Sequence, residues 1–320
     1  MLIWRFLRKI FGHIKMKNKI NQIGIEVIDL QIKALKKLKS SIDNSFIEAV
    51  KTIVKCKGKV ITCGVGKSGI IASKISATLA SVGTPSFSIS ANDCSHGDLG
   101  RISKKDLLIL ISYSGNSDEL KNITSYAKLN KIKLIGIMSN KKSNLYSSSN
   151  IKLLIPNVEE SGYGIVPTSS TTTQMSLGDA FSIASMQIKN FGKLDFKKFH
   201  PAGSLANKLK TASDIMLTKS KIPFVNENEI IKNALKILNK KKLGFIVVIN
   251  NDGLNTGIFT DGDLKRSVQK KGFSEKSKIK LVMTKRPYAV EEDTLLTDIL
   301  SKMNKKKITN ICVYNKKNKR

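Results

Sequence analysis

Residues 59–72, KVITCGVGKSGIIA, combine a glycine turn with a lysine and a serine where a strand is predicted to pass into a helix. Lys59–Cys63 is predicted to be a buried strand, and Ser68 could cap the helix that follows the turn. The first backbone N–H groups of a helix lack partners within it, and glycine lets an anion approach them closely. Because Lys67 adds a cation at this point, the junction is predicted to bind a phosphate or a similar anion.

Gly64, Gly66 and Gly69 also have the GxGxxG spacing of dinucleotide-binding loops. Such loops are followed about 20 residues later by an acidic residue, whereas Asp93 lies somewhat further on. The phosphate loop of nucleotide triphosphatases is excluded, because Ile61 stands where its first glycine must be. The glycines therefore indicate a close approach of the backbone to a phosphate without identifying the ligand.

Two clusters of hydroxyl side chains stand at further predicted strand-to-helix or loop-to-helix junctions. Residues 112–119, SYSGNSDE, follow a buried apolar run at 106–112, and residues 167–173, PTSSTTT, open a long predicted helix. Serine and threonine are common N-caps, so one such cluster alone would indicate only a capped helix. Two clusters beside the glycine turn favour a single phosphate pocket at the carboxyl ends of neighbouring strands.

Strands and helices are predicted to alternate through the first 190 residues. Such alternation predicts a doubly wound parallel α/β sheet, preceded by two helices between residues 20 and 57 that are broken near 40–44. The predicted strands are 59–63, 86–89, 106–112, 133–138 and 151–155, and the later helices are 118–129 and 168–190.

A different pattern begins after a predicted linker at 193–211, which contains the loop His200-Pro201-Ala202-Gly203. Residues 212–272 form one predicted α+β unit, and 277–320 repeat its first half at an offset of about 65 residues. The sequence therefore predicts a tandem supersecondary repeat whose second copy is incomplete.

Composition limits the class of protein. A chain of 320 residues with 41% hydrophobic residues is long enough for two domains. No run of about eighteen apolar residues is present, so no spanning helix is predicted. The four cysteines are scattered without a CxxC pair, which favours a reducing cytoplasm over a disulfide framework.

The formal net charge is +32, from 56 Lys and Arg against 24 Asp and Glu. The lysines are spread along the whole chain together with many Ile and Asn, and only 6% of residues are aromatic. This distribution favours a compositional bias over a nucleic-acid surface, so no nucleic-acid partner is predicted. Residues 1–19 are a basic extension, in which the amphipathic segment 1–16 could lie on a membrane surface or simply precede a start at Met16. The second interpretation is favoured.

The motifs GVGKSG, SHGDLG, SYSGNSDE, PTSSTTT, HPAGSLA, DIM and GIFTDGDLKR follow one another in this chain. Their order resembles that of arabinose-5-phosphate isomerases, in which a sugar-isomerase (SIS) domain precedes a pair of CBS modules. The resemblance assigns residues 20–192 to the SIS domain, 212–272 to the first CBS repeat and 277–320 to the second. It implies interconversion of D-ribulose 5-phosphate and D-arabinose 5-phosphate, which feeds 3-deoxy-D-manno-octulosonate and lipopolysaccharide synthesis. It also implies no required cofactor and a homotetramer whose active sites combine neighbouring subunits.

Four residues match the catalytic positions of the family: Lys67, Glu119, Glu159 and His200. An isomerisation through an enediol needs a carboxylate base near two carbons, a phosphate anchor and a group that moves a proton on oxygen. Glu159 is assigned as the base because it precedes the PTSSTTT cluster, with Glu119 as the alternative. Lys67 would stabilise phosphate or oxyanion charge, and His200 would assist proton transfer on oxygen or ring opening.

The predicted substrate-binding residues come from the motifs and from the resemblance. They are Gly83, Thr84, His96, Ser112, Ser114, Ser117, Thr168, Ser169, Ser170 and Thr171. Ser90 replaces a histidine that ligates metal in relatives, so zinc binding is doubtful and no metal ligand is assigned. In the CBS repeat, Thr260 and Asp263 match positions that hold adenine nucleotides, although a capped helix start explains them equally well.

Other functions remain open at this point. The chain could be a non-catalytic sensor that binds a sugar phosphate in one domain and a nucleotide in the other, or an isomerase of another sugar phosphate. The third hypothesis, an NAD(P)-dependent oxidoreductase, rests on the GxGxxG spacing alone.

Overall fold

The computed structural model describes residues 2–200, 202 and 207–315, and within the first helix it describes side chains at position 16 and from position 18 onward. The chain divides into two compact units, Met1–Phe199 and His200–Arg320. The amphipathic segment predicted at 1–16 therefore lies almost entirely outside the described side chains. None of the helices in the described part of the chain has the length and apolar character needed to cross a bilayer.

The first unit is built from five strands and the helices between them. The strands are β1 (Val60–Gly64), β2 (Ser86–Ser90), β3 (Leu107–Ile111), β4 (Lys133–Met138) and β5 (Ile151–Leu154). The helices are α1 (Leu2–Ser40), α2 (Asn44–Lys55), α3 (Lys67–Ser81), α4 (Ala91–Cys94), α5 (Lys121–Leu129), α6 (Asn144–Ser148), α7 (Ser161–Gly164), α8 (Ser169–Ile188) and α9 (Lys193–Phe199), with 3-10 turns at Asp98–Arg101 and Asp118–Leu120.

All five strands are parallel, in the order β2-β1-β3-β4-β5. Strands β1 and β3 are buried at every position, which is why they read as continuous apolar runs in the sequence. One core packs α1, α2, α3 and α8 on one face of the sheet, and a second core packs the residues of α4, α5 and α6 on the other. The predicted doubly wound parallel sheet is therefore confirmed.

The helices that precede the sheet break where the sequence predicts. Helix α1 ends at Ser40, and Asp43 caps α2 by accepting a hydrogen bond from the Ser45 amide at 2.9 Å. The stretch predicted as a linker from residue 193 begins instead with helix α9, whose Phe199 packs on Phe191 with 5.6 Å between ring centroids. The first compact unit thus ends at Phe199, beyond the predicted boundary at residue 192.

The second unit has two small sheets and the predicted repeat. Its elements are α10 (Ala212–Ile215), β6 (Phe224–Asn226), α11 (Ile231–Lys241), β7 (Phe245–Ile249), β8 (Asn255–Thr260), α12 (Asp261–Val268), β9 (Thr284–Lys285), β10 (Ala289–Glu291), α13 (Leu296–Lys306) and β11 (Cys312–Tyr314), with 3-10 turns at Lys219–Lys221 and Ile279–Leu281. The order β6-β7-β8-β9 forms one sheet, and β10 pairs in parallel with β11. The parallel pairing of β6 with β7 around α11 recurs as β10 and β11 around α13, which confirms the repeat.

Candidate functional site at the carboxyl edge of the sheet

The order of the strands places a topological switch point between β1 and β3. The chain leaves β1 through α3 toward β2 on one side, and it continues from β3 toward β4 on the other. In open parallel sheets, ligands bind in the crevice at the carboxyl ends of the strands that flank such a point. The loops at this crevice are 64–67 and 112–119, which are the first two clusters identified in the sequence.

The turn after β1 begins helix α3 earlier than predicted. Gly66 is its N-cap, with a φ of +57° that side chains rarely adopt, and the exposed Lys67 is its first residue. Ser68 therefore lies inside the helix and does not cap it. Its hydroxyl instead donates to Gln174 Oε1 of α8 at 3.2 Å. The prediction that Ser68 caps the helix was wrong, because a left-handed glycine already ends the turn.

Gly64 makes the closest backbone contact of this turn, and its substitution should be costly. A Cβ at position 64 would lie 2.7 Å from the carbonyl of Ser68 and 2.9 Å from the Gly69 nitrogen, which are backbone atoms that cannot rotate away. We expect Gly64→Ala to destabilise the first unit by about 1–3 kcal/mol, measured as a lower thermal midpoint by calorimetry. Gly100→Ala is the matched control, because its Cβ would meet open space. Equal midpoints for the two variants would contradict the close contact.

The loop after β3 is held by its own hydroxyl groups. The Ser112 and Ser117 oxygens lie 2.9 Å apart, and Ser112 Oγ accepts from the Gly115 amide at 3.1 Å. Ser114 Oγ accepts from the Asn116 amide at 3.3 Å and its residue is exposed. The loop is thus preorganised, and Ser114 is the most accessible of the three predicted serines.

Helices α3 and α8 run side by side in the same direction. Ser68 bonds Gln174, Lys74 forms an ion pair with Asp179, and residues near the ends of both helices also meet, since Lys189 Nζ donates to Thr84 Oγ1 at 2.8 Å. From one contact to the next, the residue number increases along both helices. Their N-termini therefore lie at the same edge of the sheet, and two positive helix ends face one region.

The N-terminus of α8 is occupied by a carboxylate of the chain itself. Glu160 Oε2 accepts from the amides of Thr168 and Ser169, both at 2.8 Å, while Oε1 accepts from the Ser170 amide at a longer 3.3 Å. The amides that the sequence assigned to a phosphate cradle are thus engaged by Glu160. Thr171 donates its hydroxyl to the Thr168 carbonyl at 2.9 Å, so it also bonds within the helix.

Glu160 remains ionised in this position. Burial alone would raise its pKa, but hydrogen bonds from the Ser170 hydroxyl and from the amides of Thr168, Ser170 and Ser169 outweigh it and hold the pKa below its usual value. The neighbouring Glu159 is exposed. Of the two adjacent carboxylates, the structure therefore fixes Glu160, whereas the sequence assigned the base to Glu159.

One buried hydroxyl at the same helix end lacks a partner. Ser169 is fully buried, and its Oγ has no hydrogen-bond partner among the described residues. A buried polar group without a partner costs about 1–3 kcal/mol, so such groups are rare unless a ligand or water satisfies them. Ser169 is thus the member of the PTSSTTT cluster with unused bonding capacity.

The remaining residues at this edge are Glu119 and His96, both exposed. Glu119 lies in the 3-10 turn that precedes α5, and His96 follows β2 and α4. Ser90, which the resemblance aligned with a metal-binding histidine, caps α4 by accepting from the Asp93 amide at 3.4 Å. Across the part of the chain that the structure describes, no cluster of three or more His, Cys, Asp or Glu residues could hold a metal ion.

Gly83 and Thr84 lie at the opposite edge of the same sheet. They follow the end of α3 and precede β2, and the Thr84 amide donates to the Leu79 carbonyl at 2.9 Å. Within one copy of the chain they are therefore not brought together with Lys67, although both were predicted to contact the substrate. Residues before a parallel strand lie at the amino edge of the sheet. The separation of Gly83 and Thr84 from Lys67 could therefore have been predicted from the sequence.

The other predicted residues belong to the second unit. His200 begins it, and Pro201 and Gly203 of the same loop lie outside the described residues. Thr260 and Asp263 form a capping box at the start of α12, with the Asp263 carboxylate accepting from the Thr260 amide at 2.9 Å. Burial alone would raise the pKa of Asp263, but hydrogen bonds from Thr284, Thr260 and Arg266 hold it below its usual value.

Two residues at the carboxyl edge were missed by sequence reasoning. Tyr113 links the loops after β3 and β5, because its hydroxyl donates to Asn157 Oδ1 at 3.0 Å and accepts from the Val158 amide at 2.9 Å. Glu160, which accepts from the amides at the start of α8, adjoins Glu159, to which the sequence assigned the base. A tyrosine inside a hydroxyl-rich loop was a usable signal for the first, whereas adjacent glutamates offered none for the second.

Comparison with known proteins assigns both units. Residues 52–184 match the SIS domain family, and residues 212–270 and 278–320 match the CBS domain family. An Escherichia coli CFT073 protein, c3406, solved in complex with arabinose 5-phosphate, is 35% identical with a TM-score of 0.56, over 57% of this chain and 98% of its own.

Relatives match along nearly the whole length. Arabinose 5-phosphate isomerase KdsD of Francisella tularensis is 40% identical over 305 residues, which are 94% of this chain and 93% of that protein. The Yersinia pestis protein of the same name is 37% identical over 294 residues, 91% of this chain and 90% of its own. These similarities cover both units and the order in which they are joined. The chain therefore belongs to the arabinose 5-phosphate isomerase family.

Proposed function

We propose that this chain interconverts D-ribulose 5-phosphate and D-arabinose 5-phosphate through an enediol. The observation that carries the proposal is the convergence, at one sheet edge, of a lysine-bearing helix start, a preorganised serine loop and an anchored, ionised carboxylate. The similarity to relatives named arabinose 5-phosphate isomerase over at least 90% of the chain supports the choice of substrate.

The reaction moves one proton between two carbons and one between two oxygens. A carboxylate removes a proton from C1 of the ketose, the electron pair of that bond forms the C1–C2 double bond, and the π pair of the C2 carbonyl moves to O2, which takes a proton to give the enediol. Loss of the O1 proton then forms the C1 carbonyl while the electrons of the C1–C2 double bond take the returned proton at C2, so that the O1 proton replaces the one taken up by O2. Atoms and charge balance without an oxidant or reductant, so we propose that no cofactor is required.

We assign the base role to Glu160. Its Oε2 carries the two short bonds to the amides of Thr168 and Ser169, and we propose that Oε1 exchanges the proton. A carboxylate that stays ionised at neutral pH is ready to accept a proton, and its fixed position lowers the entropy cost of the step. Glu159, to which the sequence assigned this role, and Glu119, its alternative in the sequence, remain the other candidate bases.

Lys67 and the loop after β3 are proposed to hold the phosphate. Lys67 is exposed at the first position of α3, where the helix dipole adds to its charge. Ser114 and Ser117 border the same crevice, and His96 contacts the sugar phosphate as the resemblance implies. His200 is proposed to move the proton between the two oxygens. Thr168, Ser169, Ser170 and Thr171 would then border the sugar.

The wider assignments are part of the same proposal. The chain would act in the cytoplasm as a homotetramer, without a nucleic-acid partner, and its product would feed 3-deoxy-D-manno-octulosonate synthesis. Gly83 and Thr84 can contact a substrate only from another copy, because they lie at the opposite sheet edge from Lys67. Thr260 and Asp263 are proposed contacts for an adenine nucleotide, which must compete with Arg266 Nη2, 2.6 Å from the Asp263 carboxylate.

The test is a cofactor-free assay with an identified product. Purified chain is incubated with D-ribulose 5-phosphate, and the sugar phosphates are separated and identified by NMR. We expect D-arabinose 5-phosphate, with deuterium at C2 when the reaction runs in D₂O. Turnover of a different pentose or hexose phosphate would show that the chain is an isomerase with another substrate. If sugar phosphate stabilises the chain but is not turned over, the chain is a sugar-phosphate sensor and not an isomerase.

A further inference from the structure

Tyr113 joins two loops that the sheet itself keeps apart. It belongs to the loop after β3, whereas Glu160 lies on the loop after β5. Strand β4 stands between these two strands, so about 10 Å separates their ends. The backbone of Tyr113 is fixed to the end of β4, because its carbonyl accepts from the Ser139 amide at 2.9 Å and from the Ser139 hydroxyl at 2.8 Å. The side chain of Tyr113 then spans the distance to the loop after β5.

The phenol of Tyr113 uses both of its hydrogen-bonding functions in this connection. Its hydroxyl donates to Asn157 Oδ1 at 3.0 Å and accepts from the Val158 amide at 2.9 Å. The ring is half-buried and packs against the core that α2, α3 and α8 share. Because a packed ring has little rotamer freedom, its hydroxyl holds Val158 in one place. Val158 stands two residues before Glu160, so the loop is fixed close to that carboxylate.

The chain neighbours of Tyr113 form the proposed phosphate loop. Ser114 follows it directly and is exposed, and the oxygens of Ser112 and Ser117 lie 2.9 Å apart on either side. A phosphate bound to this loop therefore contacts residues next to Tyr113. Binding energy from a group that does not react can be used to orient the groups that do.

We propose that Tyr113 is a positioning residue that couples phosphate binding on the loop after β3 to the placement of the general base on the loop after β5. The phosphate orders residues 112–117, the Tyr113 hydroxyl holds Val158, and the Glu160 carboxylate meets C1 of the sugar in one orientation. Since its hydroxyl is engaged by Asn157 and Val158, Tyr113 acts through the base. The inference rests on the proposed function for the role of Glu160, whereas the coupling of the two loops stands without it.

Tyr113→Phe tests the positioning role, because it removes the hydroxyl and keeps the packed ring. We expect kcat for ribulose 5-phosphate to fall by about 10- to 100-fold, the effect of a misplaced reacting group, while KM and inhibition by inorganic phosphate stay close to the wild type. Tyr126→Phe is the matched control and should keep the wild-type kcat. It removes another partly buried hydroxyl, which donates to the Ile102 carbonyl at 3.5 Å on the other face of the sheet. An unchanged kcat for Tyr113→Phe, or a rise in KM alone, would overturn the proposal.

A double variant separates positioning of the base from a general structural effect. In the Glu160→Gln background, Tyr113→Phe should cost little further in kcat, because the group that it positions is already gone. A merely structural role of Tyr113 would lower kcat by the same factor in both backgrounds. That second result would overturn the proposal.

Hydrogen exchange measured by mass spectrometry tests the coupling without turnover, on the full chain with inorganic phosphate as the probe. In the wild type, phosphate should slow amide exchange at 112–117 and at 156–160. In Tyr113→Phe it should slow exchange at 112–117 alone. Equal protection of 156–160 in both proteins, or none in the wild type, would overturn the proposal. A wild-type chain that shows the coupling but does not turn over ribulose 5-phosphate would refute the proposed function alone.

Discussion

Glu160→Gln is expected to lower kcat/KM for ribulose 5-phosphate by about 10²–10⁴-fold, the contribution of a positioned general base. Glutamine keeps a carbonyl oxygen that can accept from the amides of Thr168 and Ser169, so the N-terminus of α8 stays capped. The variant therefore removes the proton acceptor while it preserves most of the local structure. Steady-state kinetics with the aldose and with the ketose as substrate should show the same loss, because the base acts in both directions.

Glu159→Gln discriminates between the two adjacent carboxylates. Its side chain is exposed, so we expect this variant to keep at least a tenth of the activity. An inactive Glu159→Gln beside an active Glu160→Gln would restore the assignment made from the sequence. Both substitutions remove one negative charge at neighbouring positions, so a change in net charge cannot account for a difference between them.

Glu160→Gln should also change how the stability of the fold depends on pH. Hydrogen bonds lower the pKa of Glu160 in the folded state, so its ionised form stabilises the fold above the unfolded pKa, and this contribution is lost as the pH falls through the folded pKa. At neutral pH, Glu160→Gln should cost about 1 kcal/mol, as expected for a weakened helix cap. The difference in free energy of unfolding between variant and wild type should become smaller as the pH falls. A difference that does not change with pH would contradict an ionised Glu160 as the helix cap.

The sheet was predictable because its signal is local. The run Leu107–Ile111 has no polar residue, and its short length favours a strand buried on both faces over a helix. The edge on which each loop lies also follows from chain order, since a residue after a parallel strand lies at its carboxyl edge. Applied strictly, this rule would have separated Gly83 and Thr84 from Lys67 in one copy.

Which of Glu159 and Glu160 caps helix α8 was not predictable, because the contact depends on a turn of unusual conformation. Gly162 and Tyr163 have φ values of 60° and 63°, both left-handed, and this turn folds the chain back so that Thr168 meets Glu160. A tyrosine rarely adopts such a conformation, so no propensity indicates it. Two adjacent carboxylates have the same chemistry until the backbone decides which one meets the helix.

Lys67→Ala is expected to lower kcat/KM by about 10²-fold, the effect of removing one charged contact to a phosphate or a developing oxyanion. It is the first residue of α3, beside the left-handed Gly66, so its charge lies at the positive end of the helix dipole. Lys74→Ala is the matched control, because Lys74 lies two turns later on the same helix and pairs with Asp179. It should keep nearly full activity.

The kinetic parameter that changes identifies the role of Lys67. A phosphate anchor contributes equally to ground state and transition state, so its loss raises KM and also weakens competitive inhibition by inorganic phosphate. An oxyanion stabiliser acts mainly in the transition state, so its loss lowers kcat instead. We expect the first result, because Lys67 shares the glycine turn that the sequence marks for an anion and stands at a helix N-terminus. Lys67→Arg should recover part of the lost affinity, since it restores the charge with a bulkier donor. If inorganic phosphate inhibits Lys67→Ala as strongly as the wild type, the phosphate anchor must be assigned to the loop that contains Ser114.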